Sequence, residues 1–383
     1  MFKRILRKYP NITPKAFLVD EEFIGYRPNG QAEQRVLGVA NQLESHGLKF
    51  ETSSRADQVF RKRADADWHI KRFEMWKQLV ELGLDRCLFG VESGVDSVLK
   101  RFNKKTSSKE NASAIRSLSL LGVPPRYTYI TFDPLMSVED LLQTHDYQAR
   151  TDLLLKHSPE LQASEIYEIA LSDELAARFS SGAPLYSDIS YQLVSMECLK
   201  DAPYTEEVRK AGLLREFNTN MGRFNCSYDD ELIGLFSRCT QRWIDRNFSL
   251  DYLLKSIEKY SSKSVRMDIR NMRSILKEYA FSLLTKMLLL NKQRPDDRHL
   301  DRIDPSFKTN WLQSVIDDFE TCNSEERQLI IYMMMDIHFE KLKSALEIHL
   351  KDLERVLELP DVNRIRNKMN YWGQSKGWEL INN

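Results

Sequence analysis

The chain has 383 residues, 42% of them hydrophobic and 10% aromatic, enough to bury more than one sizeable core. Its 56 lysines and arginines balance 56 aspartates and glutamates, and a net charge of zero gives no electrostatic footprint for nucleic acid or an acidic membrane surface. No uncharged apolar stretch approaches the roughly 18 residues needed to span a bilayer, and the basic opening MFKRILRKYP lacks the apolar centre and cleavage site of a secretory signal.

The first half alternates short apolar runs with amphipathic stretches. KAFLVDEEF reads as a parallel-type strand closing on acids, and AEQRVLGVANQLESHG as a helix with a glycine stop. LKFETSSRAD predicts a second strand, DWHIKRFEMWKQLVELG a second glycine-stopped helix, and DRCLFGVESG a third strand. VDSVLKRFNKKT and ENASAIRSLSLLG follow as helices, then VPPRYTYITFDP as a fourth strand. SVEDLLQTHDYQARTDLLLKH is helical, with Ser137 as cap and Asp140 three residues on, a capping-box-like start. ASEIYEIALSDEL reads as a fifth strand. Strands returning about every 30 to 40 residues with helices between them predict right-handed βα units on a parallel sheet or barrel.

After about residue 180 the rhythm changes. SSGAPLYSDISYQLVSMECLKDAPYTEEV is turn-rich and irregular, and the remainder carries apolar residues at helical spacing. The expected organisation is a βα region over 1–180, a connector over 181–215 and a helical region over 216–383. Met333–Met335 reads as core filler, the closing WGQSKGWELINN as a frayed tail, and His145 as a solvated helix residue. The five cysteines, at 87, 198, 226, 239 and 322, are odd in number and widely spaced. That argues against a disulfide framework and for reduced thiols in a cytoplasmic protein. No two are close enough in sequence for a compact zinc or iron–sulfur ligand set.

Ligands of parallel βα folds sit at the carboxyl ends of the strands. Here those ends read Val19-Asp20-Glu21-Glu22-Phe23, Thr52-Ser53-Ser54-Arg55, Gly90-Val91-Glu92-Ser93-Gly94, Thr131-Phe132-Asp133-Pro134 and Leu171-Ser172-Asp173. Any one acid after a strand could be a helix cap. Together they form a rim suited to a ligand with an ammonium, a carboxylate and a ribose: acids for the amine, Arg55 for a carboxylate, Glu92 and Ser93 for hydroxyls. Gly90 and Gly94 would let backbone approach such a ligand closely.

The order of these pieces resembles the radical S-adenosylmethionine superfamily, in particular the group often joined to a cobalamin-binding domain. FLVDEEFIG looks like that family's second barrel strand, SSRAD like its third, and YITFDPLMSVEDL like its fifth. GLDRCLFGVESGVDSVLKRFNKKTS is similar to the fourth-strand G-x-E-S-G … L … K … T signature, the most specific match. IYEIALSDEL departs from the Pro-Gly-Thr ending usual for the next strand. The resemblance covers about residues 5–210. It implies an α/β fold, a partial (β/α) barrel followed by a helical region, with S-adenosylmethionine as cofactor. By position it implies Asp20 and Glu21 near the cofactor's amino group, Arg55 near its carboxylate, and Glu92 with Ser93 near its ribose. Ile130 and the backbone around Leu171 would flank the adenine, and Asp133 would face substrate or cofactor.

The family's reaction needs a [4Fe–4S] cluster on a C-x3-C-x2-C loop, and no such spacing occurs in this sequence. The resemblance therefore implies that the cluster loop, the first strand and any cobalamin domain lie upstream of Met1. It further implies a chain inactive alone, completed by an upstream polypeptide and acting on a small molecule or peptide. Two alternatives stand beside it: a non-catalytic scaffold that binds partners through its helical half, and a hydrolytic barrel using Asp20, Glu92 and Asp133 as acid and base.

Overall fold

Four parallel strands build the sheet of the first half of the molecule. The structure is a computed structural model that describes residues 4, 8, 14–20, 22–25, 30–261, 263–292, 312–357, 359–374 and 378. The chain divides into two compact units, residues 1–129 with 147–191 and residues 130–146 with 192–383.

In the first unit the chain order is β1 (Lys15–Phe17), α1 (Gln31–Glu44), β2 (Lys49–Arg55), α2 (Ala66–Glu81), β3 (Leu84–Glu92), α3 (Asp96–Arg101), α4 (Ser108–Leu120) and β4 (Pro125–Tyr129). The sheet order is β1-β2-β3-β4, and every neighbouring pair is parallel, as the βα rhythm predicts. Along β3 the residues alternate: Cys87, Phe89 and Val91 are buried, whereas Leu88, Gly90 and Glu92 are half-buried. The buried set packs beneath α2, with Trp76 and Phe89 rings 5.4 Å apart. Parallel sheets are ordinarily covered on both faces, so the half-open alternate set marks a cleft. Asp65 caps α2 by accepting from Trp68 N, and Ser107 with Glu110 forms a full capping box on α4.

The fifth strand is not where the sequence placed it. Residues 163–171 form helix α6 (Ala163–Leu171), packed on α2 and α4. A short apolar run is ambiguous between strand and helix. Here the Gln162–Glu165 capping box opens a helix and Ile166, Ile169 and Ala170 supply its buried stripe. Leu171 therefore ends a helix, 38% exposed, and not a strand. Asp173 opens the next helix, α7 (Asp173–Arg178), and its carboxylate pairs with the buried Arg116 at 2.7 Å. The strand-like pairing comes later: Ile189 bridges Tyr127 in the first unit and Ser195 bridges Phe132 in the second, both parallel.

The second unit opens with residues 130–146, which include most of α5 (Val138–Ala149); its Ser137–Asp140 box forms as the sequence predicts. A three-stranded antiparallel sheet follows, order β5-β7-β6, from β5 (Cys198–Leu199), β6 (Leu214–Asn218) and β7 (Arg223–Cys226), with α8 (Pro203–Lys210) between β5 and β6. The expected irregular connector is thus partly a small sheet. The remaining described elements are helices: α9 (Glu231–Tyr260), α10 (Lys263–Leu290), α11 (Leu312–Thr321), α12 (Ser324–Leu353) and α13 (Leu359–Gln374). No described helix is long and apolar enough to cross a membrane.

One local expectation fails in this unit and two are corrected in part. His145 is fully buried: its Nε2 lies 2.8 Å from Thr285 Oγ1 and its ring stacks on Phe281. Of the expected frayed tail, Trp372 Nε1 donates to Asn247 Oδ1 and Trp378 Nε1 to Asp336 Oδ1, while 375–377 and 379–383 lie outside the described residues. Indole rings bury large apolar surface and still satisfy their N–H, which suits them to hold these two positions. Of the methionine run, Met334 and Met335 are core while Met333 is 51% exposed.

Candidate ligand-binding site

Register decides what meets at the end of the sheet. Arg55 of β2 lies beside Gly90 of β3, and Gly90 lies beside Thr128 of β4. This row, with Glu22, Ser53, Ser54, Asp57, Leu88, Glu92, Lys104 and Thr106, lines a cleft of about 520 Å³ in the first unit. That volume is within the usual range for a small-molecule site.

Glu92 shapes the cleft. Its φ of 63° is left-handed, uncommon for a residue with a side chain, and the β3–β4 register slips by one residue between Gly90 and Glu92. The turned backbone folds the carboxylate back over Gly90: a Cβ built on Gly90 would lie 2.7 Å from Glu92 Oε1. Gly90 is required for that approach. Lys104 Nζ sits 3.5 Å from the same oxygen, a loose ion pair. Asn111 clamps the loop from behind, its Nδ2 donating to Val91 O and Ser93 O.

Gly94 serves another purpose. A Cβ there would fall 1.9 Å from Cγ of the buried Tyr147, and Gly94 N donates to Tyr129 OH. The second glycine of the motif therefore seats an aromatic ring instead of admitting a ligand. Ser93 also faces inward: it is fully buried and its Oγ accepts from Val95 N. The sequence grouped Ser93 with Glu92 as a hydroxyl binder; the tight turn at Glu92 sends the two side chains to different surroundings.

The acid that enters the cleft from the first strand is Glu22. Its Oε1 accepts from Ser54 Oγ, Ile24 N and Gly25 N, and its Oε2 from Arg55 N at 2.9 Å. Burial raises its pKa above the ordinary glutamate value, against these donors, which lower it. Asp20, beyond the end of β1 at Phe17, is exposed and caps the turn by accepting from Glu22 N. Glu21 lies outside the described residues. Arg55 is in the cleft as expected, but its guanidinium already grips Asp57 bidentately at 3.0 and 3.1 Å.

Ile130 and Asp133 belong to the second unit. Ile130 is half-buried, and the fully buried Asp133 accepts from Tyr204 OH at 2.6 Å and from Leu135 N. Of the eight site residues read from sequence, Arg55 and Glu92 share the cleft; Asp20, Ser93 and Leu171 do not line it. Glu22, Asp57, Lys104 and Thr128 were missed. For Glu22 the signal was present, the third acid of Asp20-Glu21-Glu22, and only the length of β1 selects it.

No family model matches the chain. It is 31% identical over 394 residues to the 4'-phospho-dehydrooxetanocin synthase of Priestia megaterium, covering 98% of this chain and 52% of that protein. Among solved structures it is similar to the cobalamin-dependent S-adenosylmethionine radical enzyme OxsB with aqua-cobalamin and S-adenosylmethionine bound. That match has a TM-score of 0.79 at 30% identity and covers 99% of this chain and 54% of that one. The same enzyme with aqua-cobalamin alone gives 0.78, covering 97% and 53%. The chain spans about half the length of the relatives it matches.

The two glycines make separable predictions. Gly94→Ala must displace a buried tyrosine and is expected to cost about 3 kcal/mol of unfolding free energy in urea melts. Gly90→Ala needs only the tip of Glu92 to move and is expected to change stability by less than about 1 kcal/mol. Equal losses at both positions would contradict this assignment.

Proposed function

Because this chain is a relative, in sequence and fold, of the cobalamin-dependent S-adenosylmethionine radical enzymes, we propose that its cleft binds S-adenosylmethionine and that it supplies the C-terminal portion of such an enzyme. The observation that carries the reading is the Glu92 carboxylate turned over Gly90 at the carboxyl end of β3, beside Lys104 and the hydroxyls of Ser53 and Thr128. A carboxylate at such a strand end accepts from ribose hydroxyls or an ammonium, and the cleft is large enough for the cofactor.

The residues present do not fit a [4Fe–4S] cluster. Cys87 is buried in the first unit and Cys239 in the second, Cys198 and Cys226 lie on one small sheet, and no group of three metal-ligating side chains occurs among the described residues. The cobalamin of the solved relative is assigned to no residue here. The substrate is proposed to be a small molecule, phosphorylated as the name of the Priestia megaterium relative suggests, or a peptide.

A polypeptide joining the outer edge of β1 would extend the sheet. Leu18 N donates to Glu51 O and Pro14 O accepts from Lys49 N, so the alternate residues Lys15 and Phe17 aim their amides away from β2. Among the described residues no strand pairs there, and Phe17 and Val19 are 60% and 89% exposed. If β-addition operates, Phe17→Pro abolishes co-purification with a polypeptide carrying a C-x3-C-x2-C loop while leaving the thermal midpoint within a few degrees of wild type. Unchanged capture would exclude the edge.

The binding proposal is tested by titration calorimetry of the chain with S-adenosylmethionine. Glu92→Ala is expected to weaken binding about tenfold or more, Gly90→Ala to weaken it through the displaced carboxylate, and Leu171→Ala to leave it unchanged. No binding by the wild-type chain, or equal binding by Glu92→Ala, would contradict it.

A further inference from the structure

The turn that aims Glu92 is strained, and side chains from outside it hold it in place. Ser93 N donates to Val91 O at 2.8 Å across Glu92, closing a three-residue γ-turn. With φ 63° at its centre the turn is of the positive-φ kind, rare and costly for a residue with a side chain. Asn111 takes the carbonyls of Val91 and Ser93, and Ser93 Oγ accepts from Val95 N. The Gly94 amide is met differently. β4 ends at Tyr129, the register partner of Glu92, and Gly94 N donates at 2.9 Å to the Tyr129 hydroxyl, not to a strand carbonyl. Tyr129 is 1% exposed and stacks on Tyr147 with ring centres 6.4 Å apart; Tyr147 OH in turn donates to Ser108 O at 3.3 Å.

We propose that Tyr129 is a positioning residue for the ligand cleft: its hydroxyl holds the γ-turn closed and so keeps the Glu92 carboxylate over Gly90. This role rests on the reading of the cleft as an S-adenosylmethionine site and names the side chain that fixes the geometry of its acid. Tyr129 does not line the cleft, so it acts on a ligand only through Glu92.

Without the hydroxyl, the Gly94 amide loses its acceptor and the strain at Glu92 loses one of its restraints. A turn relaxed to ordinary negative φ carries the carboxylate away from Gly90 and Lys104. A ligand that needs the acid over Gly90 then binds only the fraction of chains still so arranged, and its apparent affinity falls by that fraction. The same strand supplies a comparison. Tyr127, two residues earlier on β4, is also fully buried, but its hydroxyl finds no hydrogen-bond partner among the described residues. Removing that oxygen takes no support from the turn.

The test uses the full chain carrying Tyr129→Phe, which keeps the ring and removes the oxygen. In the absence of ligand, amide exchange at residues 93–95 is expected to quicken about tenfold. By titration calorimetry the variant is expected to bind S-adenosylmethionine about tenfold more weakly. In a Glu92→Ala background the same change is expected to add no further loss, because the side chain it positions is gone. Tyr127→Phe is expected to leave both exchange at 93–95 and binding unchanged. Unchanged exchange at 93–95 in Tyr129→Phe, or an equal loss of affinity with and without the Glu92 carboxylate, would overturn the proposal. The exchange measurement needs no ligand: a wild-type chain that binds no S-adenosylmethionine removes the cofactor reading, whereas the hold of Tyr129 on the turn is decided by exchange alone.

Discussion

The first unit turns on one backbone reversal, Glu92 held at φ 63° at the end of the central strand β3. A left-handed residue with a side chain costs on the order of 1 kcal/mol, so the surroundings must hold it there. They do so from both sides. Asn111 ties down the carbonyls of Val91 and Ser93, and Gly90 leaves room for the returning carboxylate. The result is an acid aimed into a cleft, which the next residue, Ser93, could not provide.

Around that acid the charges are already matched. Arg55 is gripped by Asp57, Glu22 is saturated by four donors, and Lys104 stands off Glu92 at 3.5 Å. Tight pairs resist displacement, and a loose partly exposed pair exchanges readily with ligand groups. The Glu92–Lys104 pair is therefore where a zwitterionic ligand has most to gain, and the tighter pairs give the cleft its fixed walls.

Much of the first unit was legible from residues. Apolar runs such as CLFG and helices stopped by glycine are local signals, and local signals set parallel βα units. What escaped was fixed by long-range contact. Helix α6 reads as a strand until its capping box and its packing on α2 and α4 are known. Trp378 reads as a loose end until Asp336 takes its indole N–H, and His145 reads as solvated until Phe281 covers it. At the site the motif named the right loop, but φ decided which of its side chains face the cleft.

The central claim is that a ligand is held at the strand ends of the first unit, beneath Glu92. Amide hydrogen exchange with and without S-adenosylmethionine tests it most directly. Protection confined to residues 53–57, 90–94 and 104–106, with the long helices Glu231–Tyr260 and Ser324–Leu353 unchanged, is the outcome expected. Protection in those helices with none at the strand ends would contradict it.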